Sequence, residues 1–220
     1  MRSMLSKKKR LAACKLYLIL DTQVCDYARL WQVLKQVSGR GVDIVQLRDK
    51  VGTARETLEF ARKVQRFLSD RIPFIVNDRA DIARLAGASG VHVGQGDLPV
   101  AEARRIVGRG RIVGTSAQTI AHLQRAVQNG ADYVGFGSVF RTLTKPDRQP
   151  MNMALLKEAA KIAQAESLPL FAIGGIGRQN LALVTACGAV RVAVCRDILM
   201  ADDVRSAVGE FERGLVAGIR

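Results

Sequence analysis

The chain has 220 residues, and its 34 Lys and Arg outweigh 20 Asp and Glu to give a formal charge of +14. That length suits one domain with a single core or two small ones, and 48% hydrophobic residues supply a large core. No apolar run reaches the roughly 18 residues that a membrane-spanning helix needs. The basic start, Met1 to Arg10, is followed by only a short apolar stretch broken by Lys15, without the apolar region and small-residue cleavage site of a signal peptide.

So positive a chain attracts anions: nucleic acid, a membrane surface or phosphorylated small molecules. Part of the excess is the run Lys7-Lys8-Lys9-Arg10, read as a solvated tail. With one Trp and three Tyr, no basic stretch is interleaved with aromatics, which argues against a stacking platform for single strands. The four cysteines, Cys14, Cys25, Cys187 and Cys195, form no C-x-x-C pair. They are expected to be reduced, mostly buried thiols rather than metal ligands.

Taken in chain order, short apolar runs predict strands at 16–20, 43–47, 73–76, 90–93, 112–114, 133–136, 170–173 and 190–194. Each has the length of a buried strand. Helical stripes fill the gaps. The first is Leu58, Ala61, Val64 and Phe67, opened by Thr53 with Glu56 three positions on as a capping box. Next come Ile120, Leu123 and Val127, stopped by Gly130, then Leu155, Ala159 and Ile162, then Leu181, Val184 and Cys187 before Gly188. Strand–helix alternation implies a parallel sheet, and about eight units fit a closed barrel. The expected fold is therefore α/β, a single (β/α)8 TIM barrel over residues 15–220, preceded by a flexible basic tail over 1–14. An open doubly wound sheet would carry G-x-G-x-x-G after its first strand; here that strand ends Leu20-Asp21-Thr22.

Active sites of such barrels lie at the C-terminal ends of the strands, where this sequence turns polar. Strand two runs out as Gln46-Leu47-Arg48-Asp49-Lys50, strand three as Asn77-Asp78-Arg79, and strand four is followed by Gly94-Gln95-Gly96-Asp97. Strand five ends Gly114-Thr115-Ser116, and strand six leads to Gly137-Ser138 and Thr142-Leu143-Thr144-Lys145. Strands seven and eight end in Gly174-Gly175 and Cys195-Arg196. Asp78 and Asp97 among Arg48, Lys50 and Lys145 suit a site shared by a hard divalent metal and a polyanion, because Mg²⁺ takes one or two carboxylates plus phosphate oxygens. The alternative is plain ion pairing of these aspartates with Arg48, Lys50 or Arg79. Gly174-Gly175 can bring backbone N–H groups to a phosphate, or it is a tight turn. The two histidines, His92 and His122, have no evident partner for a nucleophilic triad; His92 reads as a packed strand residue.

In order, one per strand, these strings resemble the thiamine-phosphate synthase (thiamine-phosphate pyrophosphorylase) family from Leu16 to about Phe211: Q-L-R-D-K at 46–50, N-D-R at 77–79, G-V-H-V-G-Q-G-D at 90–97, G-T-S at 114–116, G-F-G-S-V-F at 135–140 with T-L-T-K at 142–145, and A-I-G-G-I at 172–176. The resemblance implies a transferase that joins an aminopyrimidine methyl diphosphate to a phosphoethyl methylthiazole, or its carboxylated form, giving thiamine monophosphate and pyrophosphate. It implies that Gln46 contacts the pyrimidine, that Arg48, Lys50, Asn77, Ser116 and Lys145 hold the diphosphate, and that Asp78 and Asp97 hold Mg²⁺. Thr142, Thr144, Gly175, Cys195 and Arg196 would meet the thiazole phosphate, with Lys145 and Ser116 the catalytic pair. The expected setting is the cytoplasm, with small-molecule partners, neither nucleic acid nor membrane, and a homo-oligomer left open. The chain departs from the family pattern at Asp49 (often Glu), Ser138 (often Pro), Asn152 (usually Gly) and Arg196 (often Ser). Rival readings are a thiazole tautomerase of the same fold and a basic nucleic-acid-binding barrel.

Overall fold

A computed structural model describes residues 10–69, 71–143 and 149–217. Along the chain run β1 (Leu16–Asp21), α1 (Tyr27–Val37), β2 (Ile44–Arg48), α2 (Ala54–Leu68), β3 (Phe74–Asn77), α3 (Ala80–Leu85), β4 (Gly90–Val93), α4 (Val100–Val107), β5 (Ile112–Ala117) and α5 (Ile120–Gln128). There follow β6 (Tyr133–Phe136), α6 (Met153–Ala165), β7 (Leu170–Ile173), α7 (Leu181–Ala186), β8 (Val192–Val194), α8 (Arg196–Leu199) and α9 (Val204–Ala217). Each strand pairs in parallel with the next, and β8 returns to β1, so the sheet closes into the expected barrel.

Side chains of a strand alternate between faces, and here the alternation divides the core in two. Leu16, Leu18, Leu20, Val45, Leu47, Val91, Val93, Val134 and Phe136 face outward and form the large cluster under the helices. The other parity, Tyr17, Ile19, Ile44, Ile75, Ile112, Tyr133, Phe171 and Ala193, fills the barrel interior. Tyr17, Tyr133 and Phe171 pack as an aromatic triad there, with ring centroids 5.3–5.8 Å apart.

The helices form where their apolar stripes lie, with two adjustments. Thr53 and Glu56 make the expected capping box on α2, but its buried face is Thr57, Phe60, Ala61, Val64 and Leu68. Leu58 and Phe67 lie on the flanks, because Phe67 turns sideways to meet Trp31 of α1 edge-on at 5.0 Å. The buried face of α6 is likewise Leu156, Ala159 and Ala163 rather than Leu155 and Ile162. Gly130 and Gly188 follow α5 and α7 with φ of 68° and 81°, the left-handed conformation that ends a helix cheaply only in glycine.

The packed chain begins before residue 15. Residues 10–13 form a helical turn, and Leu11 and Cys14, only 1% and 4% exposed, join the interior cluster with Ile44 and Ile112. Of the expected tail over 1–14, residues 10–14 lie among the described residues, and through Leu11 and Cys14 they pack on the barrel interior. Among the described residues no helix is long and apolar enough to cross a membrane.

The interior is tight enough to dictate glycine at one position. A Cβ on Gly114 would stand 2.1 Å from Cζ of Tyr133, so β5 leaves room for that ring only without a side chain. Gly114→Ala is expected to destabilise the fold by about 1–3 kcal/mol, the usual cost of overpacking. A urea midpoint unchanged from wild type would show that Tyr133 can move aside.

Candidate active site

The inward parity of the strands sets which side chains reach the C-terminal mouth. There a cavity of about 480 Å³ is lined by Gln46, Arg48, Asn77, Ser116, Thr142, Gly175, Cys195 and Arg196, all expected site residues, with Tyr17, Tyr133 and Phe171 among its apolar walls. Thr144 and Lys145 lie outside the described residues.

Asp78, Asp97 and Lys50 are not among the residues that line this cavity; they meet one another around Asp78, next to Asn77 in the chain. Asp78 follows β3 with φ 61°, a left-handed conformation costly for a non-glycine residue and typical of functional positions. Its N–H donates to the His92 carbonyl at 2.7 Å. Lys50 Nζ lies 2.6 Å from its carboxylate. Asp97 sits in the turn after β4, its Oδ2 accepting the Gly94 N–H at 2.8 Å. Burial first, then a hydrogen bond with the Asp78 carboxyl and that group's charge, push the Asp97 carboxyl above its ordinary range against the pull of Gly94 and Lys50. Two carboxylates therefore compete for one lysine. The alternative pairing holds for Lys50 and Asp78 alone: Arg79 turns to Asp81 at 2.6 Å, and Arg48 to Asp21 at 2.8 Å.

Asp21 was absent from the expected set. It is fully buried, and with Gln23 Oε1, 2.6 Å from Arg48 Nη1, it anchors the guanidinium in the cavity wall. Arg48 Nε has no hydrogen-bond partner among the described residues. An orphaned buried N–H of this kind is costly. Arg178 was also missed. It lines the same cavity from the loop after β7, held by Asp197 at 2.9 Å and Glu210 at 3.1 Å. The signal for it was its place three residues beyond Gly175.

The structure adds detail to four of the sequence readings. Gly174 and Gly175, with φ 102° and 63°, do make a close approach, but to protein: Cβ atoms there would lie 2.1 Å from Ser138 Oγ and 2.4 Å from the Arg141 carbonyl. The glycines let the β6 loop cross β7, where Val139 and Phe140 N–H groups bond Ile173 and Gly174 carbonyls at 2.9 Å. His92 is buried as expected but has partners, Ser116 Oγ and the Tyr133 hydroxyl, each at 3.0 Å. All four cysteines are free, yet only Cys14 is buried, the others being half-buried. Burial pushes the Cys195 thiol up to about 12, so it is not a thiolate nucleophile at neutral pH. Asn152 caps α6, its Oδ1 accepting the Ala154 N–H at 2.8 Å, which accounts for a side chain where the family usually has glycine.

Asp49 holds the loop that carries Lys50. Its carboxylate accepts hydrogen bonds from Thr22 (2.8 Å), Gly52 (2.9 Å) and Thr57 (2.9 Å), and from the Tyr27 hydroxyl. Burial alone would raise its pKa, but these bonds together outweigh it and hold the group below the usual carboxylate range. A carboxyl depressed in the folded state stabilises above its unfolded pKa and loses that contribution as pH falls through the lowered value. Asp49→Asn is expected to cost about 1–3 kcal/mol at neutral pH, the penalty for stranded donors, with the gap to wild type narrowing in acid. Urea unfolding at both pH values measures it; a gap independent of pH would refute the charged-acceptor role.

A family model described as thiamine monophosphate synthase matches residues 16–198. A thiamine-phosphate synthase of Synechococcus sp. (strain WH7803) is 42% identical over 91% of this chain, which spans 57% of that protein's length. One from Shouchella clausii (strain KSM-K16) is 39% identical over 88% of this chain and 92% of its own. Among solved structures, thiamine phosphate pyrophosphorylase from Pyrococcus furiosus superposes with a TM-score of 0.83 at 28% identity, covering 97% of this chain and 100% of that one. The fold, the order of the strand-end motifs and these likenesses agree, and the chain belongs to the thiamine monophosphate synthase family.

Proposed function

We propose that this chain joins an aminopyrimidine methyl diphosphate to a phosphoethyl methylthiazole, releasing pyrophosphate and forming thiamine monophosphate, with Mg²⁺ held by Asp78 and Asp97. The observation that carries the reading is the convergence of these two carboxylates with Lys50 beside a cavity that Arg48 and Asn77 enter and whose inner walls are aromatic and uncharged. Such a cavity accepts a flat ring inside and a diphosphate at the rim.

The donor set fits a hard divalent ion. Both groups are oxygen donors, and their mutual crowding leaves negative charge that Lys50 alone does not offset. Among the described residues no third His, Cys, Asp or Glu joins them, and Mg²⁺ needs none, since substrate phosphate and water complete its shell. When bound, the ion supplies charge neutralisation to the diphosphate as it leaves.

The residues of the chain do the rest. Gln46 holds the pyrimidine, while Arg48, Lys50, Asn77 and Ser116 hold the diphosphate, joined by Lys145 on the strength of the family resemblance. The thiazole phosphate lies toward Thr142, Thr144, Gly175, Cys195 and Arg196, where Arg178 adds a cation. Departure of pyrophosphate from a CH₂ on an electron-rich ring leaves positive charge on carbon, which the thiazole nitrogen attacks. Such chemistry needs two reactants held in line and departing charge stabilised, and no protein nucleophile. The high Cys195 pKa agrees with that. Free thiols suit a reducing cytoplasm, the compartment this reading adopts.

An assay for thiamine monophosphate with both substrates, with and without Mg²⁺, tests the proposal; no product with Mg²⁺ present would sink it. Asp97→Asn keeps an acceptor for the Gly94 N–H but loses the charge. It is expected to lower kcat on the order of 10²-fold or more with an unchanged melting temperature. Wild-type turnover in this variant at limiting Mg²⁺ would remove Asp97 from the metal site.

A further inference from the structure

Five side chains from five strands form one continuous hydrogen-bonded chain inside the barrel. Gln46 Nε2 on β2 donates to the Tyr17 hydroxyl on β1 at 2.8 Å, and that hydroxyl lies 2.8 Å from the Tyr133 hydroxyl on β6. Tyr133 meets His92 Nδ1 on β4 at 3.0 Å, and His92 Nε2 meets Ser116 Oγ on β5 at 3.0 Å. Tyr17, Gln46, His92 and Tyr133 are buried, and all five line the cavity. The mechanism above uses only the two ends.

The chain has a direction. An amide NH₂ can only donate, so the Tyr17 oxygen accepts, and a phenol has a single hydrogen to pass on. With the Gln46 amide NH₂ on Tyr17, every hydrogen in these contacts finds a recipient when Tyr17 donates to Tyr133, Tyr133 donates to Nδ1, and the imidazole carries its hydrogen on Nε2 and donates to Ser116. Burial pushes both phenols above their ordinary range, so each keeps its hydrogen. Aligned bonds of this kind polarise one another. The consequence lies at the ends. Gln46 is turned to offer its carbonyl oxygen to the cavity, and Ser116 is left with its hydroxyl hydrogen free to donate there.

We infer that Tyr17, Tyr133 and His92 are positioning residues that fix the hydrogen-bond polarity of Gln46 and Ser116, so that the cavity selects a pyrimidine bearing an exocyclic amine over its oxo counterpart. This rests on the substrate class proposed above. An exocyclic amine donates to Gln46 Oε1; an oxo group at the same place confronts it with a second acceptor. Ser116, as donor, suits the phosphate side of the same molecule. Breaking the chain at Tyr133 frees Tyr17 to donate instead, and the Gln46 amide can then turn over and accept either edge.

The test is calorimetric binding of two non-reacting ligands, the aminopyrimidine methyl monophosphate and its 4-oxo analogue, to wild type, Tyr133→Phe and Tyr17→Phe. Phenylalanine preserves the ring packing. Wild type is expected to favour the amine by on the order of 10²-fold or more, because a site built around a hydrogen bond rejects the mismatched partner strongly. Each variant is expected to lose at least about tenfold of that ratio. An equal weakening for both ligands, as loss of packing alone would give, overturns the inference, as does a wild type that does not discriminate. Because no turnover is read, a protein that binds the amine selectively yet forms no thiamine monophosphate would refute the proposed reaction and leave this inference standing. Should the variants not fold, ¹⁵N NMR of wild type decides: with two histidines in the chain, His122→Gln assigns the signals. A neutral His92 with hydrogen on Nε2 supports the polarity, and hydrogen on Nδ1 reverses it.

Discussion

In a closed parallel barrel the inward parity of each strand is fixed by the register of its neighbours, and every functional group here depends on that constraint. Ile19 pairs with Gln46, Gln46 with Ile75, and Ile75 with Gly90, while Asn77 pairs with His92, His92 with Gly114, and Gly114 with Tyr133. A slip of one residue in any strand would exchange its cavity-facing side chains for those under the helices. The apolar outer parity, buried among helices, prevents that slip. The polar groups at the strand ends therefore converge without any helix having to aim them.

Electrostatics at the mouth follows from what the interior excludes. The buried walls hold no charge apart from the Asp21–Arg48 pair, whose carboxylate is out of contact with water. Losing either partner of such a pair would leave a buried charge uncompensated, which costs several kcal/mol, about 3–5. Arg141, Arg178 and Arg196 also line the cavity, and Lys50, Asp78 and Asp97 form a cluster of their own outside its lining. In the proposed reaction the cations face the phosphates at both ends, and the paired carboxylates face the divalent ion.

Much of this was legible in the sequence because strand ends are read locally. Apolar runs located all eight strands, and at or just beyond them Gln46, Arg48, Asn77, Ser116, Gly175, Cys195 and Arg196 line the cavity at the mouth. What escaped was whatever depends on partners distant in the chain. Asp21 looked like a strand terminus until β1 was laid against β2 and Arg48. Tyr17 and Tyr133 are 116 positions apart, and only closure of the barrel makes them neighbours. His92 passed for packing because its partners come from β5 and β6. The helical stripes were misplaced by a residue or so where a flank packs on another helix, as Phe67 does on Trp31. The Gly174-Gly175 pair read equally as a phosphate-binding turn or a tight one, and the close passage of the β6 loop over it could not be seen from the sequence.

In the proposed reaction Asp78, Asp97 and the cations beside them bind a divalent ion and a diphosphate together rather than separately. Calorimetric titration of inorganic pyrophosphate into the protein, with Mg²⁺ and then with a chelator, tests it most directly. Binding is expected to strengthen markedly with Mg²⁺ and to lose that enhancement when the carboxylate of residue 78 is neutralised as Asp78→Asn. Pyrophosphate held equally well in chelator, or an undiminished Mg²⁺ effect in that variant, would contradict it.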